Sequence, residues 1–81
     1  MTHELKILPC HYQQVLSGEK QFEIRDNRDR GFQKGDKVVL KEYDPNKLLG
    51  SYTGGCWRVK ITYVTNFEQK DGFVVFGFRK D

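Results

Sequence analysis

In CWRVKITYV, residues 56–64, apolar and polar side chains alternate without a break from Trp57 to Tyr63. Trp57, Val59, Ile61 and Tyr63 fall on one face, and Arg58, Lys60 and Thr62 on the other. A period of two over this length predicts a β-strand with one covered face. Moving outward, KVVLKEY (37–43) carries three consecutive apolar residues, Val38 to Leu40, and predicts a strand covered on both sides. FVVFGF (73–78) reads as a strand buried within a sheet, and HELKIL (3–8) sets His3, Leu5 and Ile7 against Glu4, Lys6 and Leu8. In QFEIRD (21–26), Phe22 and Ile24 are expected to anchor the core while Glu23 and Arg25 face away.

One helix interrupts this pattern. Pro9 suits a first helical turn, Tyr12, Val15 and Leu16 follow at core-facing spacing, and Gly18 supplies a stop. A helix is therefore expected over 9–17. Residues 27–36 read as a polar loop, with Phe32 in its solvated part, and DPNKLLGSYTGG (44–55) as a long turn. The fold class is α+β, mainly β: about five short strands and one early helix. A strongly curved sheet of this size, curled into a small barrel, hides its edge strands.

The chain has 81 residues, enough for one domain over 1–81, and must use nearly every large apolar side chain in its core. Hydrophobic residues make up only 37%, but aromatic residues reach 14%, and each ring buries a large area. The mixed charge, 31% of residues and +3 net, fits a soluble surface and argues against a disordered chain. Cys10 and Cys56 lack metal-type or redox spacing and are expected as small, unpaired residues in or near the core. Cys10 and His11 diverge in a helical turn, so no metal and no cofactor are expected. The longest apolar runs are three or four residues, so a cytoplasmic protein with no membrane partner is expected.

The candidate site lies in SGEKQFEIRDNRDRGF (17–32). From Glu19 to Lys37, six cations face five carboxylates, a mixed surface and not a basic track. Arg58 and Lys60, extended by Arg79, form a second basic set that equally fits a solvated exterior. Glu23 and Arg25 leave one strand face together, and Lys20 sits where the helix stop meets that strand. The three can line a cleft that offers one carboxylate between two cations, matching a nucleobase edge with its phosphate. They can equally form an ion-pair network that ties helix to strand.

The spacing Gly18-x-Lys20-x-x-Glu23-x-Arg25 resembles the signature of ASCH domains, part of the wider PUA-like group. NRDRGFQKGDKVVLKEYDP (27–45), YTGG (52–55) and QKDGFVVFGF (69–78) extend the likeness to a subgroup of very short bacterial and phage proteins, over roughly residues 3–78. The resemblance implies a PUA-like β-barrel with a helix at its side, a charged cleft between them, and RNA or a nucleotide as partner. It points to Lys20, Glu23 and Arg25 in the cleft, with Arg28 and Arg30 as phosphate contacts. A related branch hydrolyses N4-acetylcytidine with a Lys, a Thr and a later Glu. Lys20 matches that Lys and Arg25 the strand Arg, but Glu23 occupies the Thr position and Glu68 aligns with nothing secure. A Lys acting as a base must spend time neutral, and a neighbouring carboxylate stabilises its ammonium form instead. An amidohydrolase on an acylated nucleoside, using Lys20 and Glu23 through a water, is the alternative. A protein-interaction adaptor presenting Tyr43 or Tyr52 is the second.

Overall fold

The computed structural model describes residues 1–28, 30–47 and 49–81. Its elements run β1 (Thr2–Ile7), α1 (Pro9–Leu16), β2 (Phe22–Asp26), β3 (Lys37–Asp44), β4 (Ser51–Thr65) and β5 (Phe73–Lys80). They form one five-stranded sheet in the order β1-β3-β4-β5-β2, with β1 parallel to β3 and the other pairs antiparallel. The sheet curls into a half-barrel that brings its two edge strands together. Arg25 on β2 donates from Nη2 to the Lys6 carbonyl of β1 at 2.7 Å, so a side chain spans the seam that no backbone ladder closes.

Alternation places His3, Leu5 and Ile7 of β1 and Val38 and Leu40 of β3 inside, as expected. Val59 and Ile61 of β4 join Val74, Phe76 and Phe78 of β5 in the same core. The helix adds Tyr12 and Val15, whereas Leu16, expected with them, is more than a third exposed. Pro9 opens this helix, and Gly18, at φ +84°, ends it.

Five further expectations are corrected. Phe22 and Ile24 lie on the solvent side of β2, and Glu23 is the buried residue of that strand. The carboxylate can face inward because two cations neutralise it at the seam. Tyr63 turns outward because the β4–β5 register shifts between Ile61 and Tyr63, and Thr62 takes up the extra position. Phe32 is buried, its ring 4.6 Å from His3 and 4.8 Å from Phe76. Residues 51–55 belong to β4 and not to a turn: Tyr52 pairs with Tyr43 across the ladder, their rings 5.2 Å apart. The cysteines are also misplaced, since both are free and exposed.

His3 and Asp36 tie the first strand to the loop before β3. His3 Nε2 lies 2.9 Å from Asp36 Oδ2, and the Met1 ammonium lies 3.3 Å from Oδ1. The hydrogen bond from His3, followed by those from the terminal ammonium and the Gln33 N–H, holds the Asp36 carboxyl below its ordinary value despite its burial. A depressed carboxyl stabilises the fold above its unfolded value and loses that contribution as pH falls. Stability should therefore decline as the pH drops below about 4. Urea denaturation of Asp36→Asn across that range should show a lower plateau at neutral pH and a flatter acid limb.

Candidate functional site

The end of α1 determines where Lys20 stands. The Ser17 and Gly18 N–H groups donate to the carbonyls of Gln13 and Val15, and the Lys20 N–H returns to Gln14 at 3.1 Å. This closing turn delivers Lys20 beside the start of β2. There Glu23 is opposite Phe76 in the ladder, so its side chain points toward the core at the strand's free edge.

Glu23 is 6% exposed, and both of its oxygens are engaged. Lys20 Nζ is 3.1 Å from Oε1 and Arg25 Nε is 3.2 Å from Oε2. Arg25 then reaches β1 through the Lys6 carbonyl. The three residues that the sequence singled out converge. They form the ion-pair network, and a cleft opens beside it. The cleft has a volume of about 510 Å³ and is walled by Lys6, Ile7, Leu8 and His11 on one side and by Lys20, Phe22, Glu23, Ile24 and Arg25 on the other.

The chemistry of the cleft is mixed. Lys20 and Arg25 retain N–H donors beyond those given to Glu23 and Lys6, because an ammonium carries three and a guanidinium five. Leu8, Phe22 and Ile24, each at least a third exposed, offer apolar contact next to these donors. Lys20 Nζ also lies 5.6 Å from the centre of the Phe22 ring. The site thus presents fixed positive donors beside a half-open aromatic surface.

Arg30 and Arg28 stand apart from this group. Arg30 lines a neighbouring hollow of about 300 Å³ with Glu4, Leu5, Lys6, Arg25, Lys41 and Tyr52. Its Nη1 lies 3.4 Å from the Glu4 carbonyl. Arg28 forks onto the Asp26 carboxylate, and its hydrogen bonds pull that carboxyl down to about 2. In the same hollow, an ion pair with Lys41 holds the Glu4 carboxyl below its usual range.

Sequence reasoning missed Lys6, Leu8 and His11 as walls. Lys6 and Leu8 share one face in the alternation of HELKIL, and the curl that carries them against β2 was the absent information. Among the described residues, no group of three or more His, Cys, Asp or Glu side chains is placed to hold a metal ion. No described helix is long and apolar enough to cross a membrane.

Known proteins add a family to this geometry. An "Uncharacterized 12.9 kDa protein in GpA 3'region" of Escherichia phage P2 is 34% identical over 64 residues, covering 79% of this chain and 54% of that protein. The chain therefore spans about half the length of this relative. Residues 2–78, from the start of β1 to near the end of β5, match the family described as "Domain of unknown function (DUF3850)", and the chain belongs to that family.

Proposed function

We propose that this chain is an RNA- or nucleotide-binding domain of the ASCH type, within the PUA-like group, and that its ligand enters the cleft between α1 and β2. The observation that carries this reading is the open volume beside the Lys20–Glu23–Arg25 set, with the cationic donors and the Phe22 ring side by side on one wall. A nucleobase needs both: hydrogen-bonding groups for its edge and an apolar or aromatic surface for its face. The cations suit the attached phosphate. The Lys20–Glu23 contact at 3.1 Å supports binding over hydrolysis, since a paired ammonium is a poor base.

The test is RNA and nucleotide titration at low salt, followed by anisotropy. Arg25→Ala should weaken binding, but it also removes an ion pair, so its melting temperature must be measured alongside. His11→Glu avoids that difficulty, because His11 is exposed and lines the cleft from the helix. A carboxylate there should weaken binding by about tenfold or more through repulsion of the phosphate, with the fold unchanged. Absence of binding to any RNA or nucleotide at low salt overturns the proposal. Turnover of N4-acetylcytidine that Lys20→Ala abolishes would replace it with the hydrolase reading.

A further inference from the structure

The outer face of the sheet carries two rows of side chains that, Phe22 apart, the cleft does not use. In one, Tyr63 of β4 and Phe22 of β2 flank Gly77 of β5, which pairs with both. Tyr63 is 64% exposed and Phe22 is 45% exposed. The next row on the same face is cationic: Lys37, Lys60 and Arg79 are directly paired across β3, β4 and β5. Lys34 joins Lys60, Thr62 and Arg79 around an open groove of about 560 Å³.

Neither row is explained by the fold. Gly77 does not adopt a positive φ, and a Cβ there would meet Thr62 Oγ1 at 3.7 Å and the Gln21 carbonyl at 3.8 Å, both ordinary contacts. Glycine inside a strand weakens it, and here nothing structural requires it. Its effect is an open floor between two exposed rings. Like charges directly opposite one another also destabilise a sheet. Lys37 has the Asp81 carboxylate at 3.5 Å, but Lys34, Lys60 and Arg79 have no acidic partner among the described residues. An uncompensated cationic row beside an aromatic row is the surface that single strands recognise: bases stack on rings while phosphates follow the cations.

We infer that the outward face of β4, β5 and β2 is a stacking platform for single-stranded nucleic acid, with a base over Gly77 between Tyr63 and Phe22 and phosphates along Lys60, Arg79 and Lys34. The platform takes the same class of ligand as the cleft but rests on different residues, and Phe22 alone belongs to both.

Fluorescence anisotropy with short oligouridine and oligothymidine tests it, with heparin as a polyanion that has no bases. Tyr63→Ala should weaken oligonucleotide binding at least about fivefold and leave heparin binding unchanged. Lys60→Glu with Arg79→Glu should weaken both, and the wild-type salt dependence should follow a logarithmic slope of about −2, as for three phosphate contacts. Gly77→Val is the sharpest variant, because a β-branched side chain should hold or raise the melting temperature while it blocks the floor and lowers affinity. Oligonucleotide binding that survives Tyr63→Ala and Gly77→Val, or its absence at low salt, overturns the platform. Sensitivity to His11→Glu without sensitivity to the platform variants leaves the cleft reading standing alone, and the opposite pattern removes the cleft and keeps the platform.

Discussion

Phe32→Ala is expected to destabilise the fold by about 3–5 kcal/mol, the range for an aromatic ring deleted from a packed core. The residue is 3% exposed and its ring packs at a tilt between His3 of β1 and Phe76 of β5. It reaches that position from an irregular segment, where its own N–H donates to the Asn27 side chain at 2.7 Å. The loss therefore combines a cavity with a loop cut free from the sheet. A domain of this length has a total stability of roughly 4–12 kcal/mol, so the variant should sit close to its unfolding limit. Its melting temperature should fall by about 12 °C or more. Phe67→Ala is the matched control, because Phe67 is 75% exposed and its removal should change stability by less than about 0.5 kcal/mol. Calorimetry of both variants decides the matter: equal melting temperatures would mean that Phe32 fills no essential space.

Phe32 also marks the limit of what the sequence disclosed. Periodicity identifies residues by their neighbours, and a lone aromatic between charges has none. A second signal was available, since Phe32 is the only large apolar residue between Ile24 and Val38 in a chain that can spare few. The strands were legible wherever alternation ran unbroken, as in β1 and in β4 up to Ile61. Beyond Ile61 the bulge at Thr62 exchanges the two faces, and such an insertion leaves the spacing of side chains unmarked. In β2 the alternation is plain in the sequence, but the face that turns inward is the charged one. Hydrophobicity chose Phe22 and Ile24 for the core, but a carboxylate neutralised on both sides took the inner position. The YTGG segment looked like a turn from its glycines, whereas the Tyr43–Tyr52 contact extends the hairpin through it.

The site was more legible than the orientation of the strand that carries it. Glu23 and Arg25 share a face at any assignment of inside and outside, and the Gly18 stop places Lys20 next to them. Arg28 shows the opposite outcome. It forks onto Asp26, two residues earlier, and a short-range pair of this kind competes with any distant phosphate.

Glu23→Ala is expected to cost about 3 kcal/mol, toward the lower end of the range for opening a buried ion pair. The discount follows from the cations, whose side chains are 16% and 27% exposed and can turn partly to water once released. The remaining cost is that Lys20 and Arg25 would face each other across an emptied space beside Phe76. Removal of Lys20 alone should cost less, because Arg25 still neutralises the carboxylate. A double-mutant cycle between Glu23 and Arg25 should therefore return a coupling of about 1–3 kcal/mol, well above that of an exposed pair. High salt should change this coupling little, since a pair removed from solvent is poorly screened. Urea denaturation of the four proteins, with and without added salt, measures both quantities. A coupling near zero would mean that the ion pairs do not brace the seam, and the geometry of the cleft would then depend on the Arg25 bond to the Lys6 carbonyl.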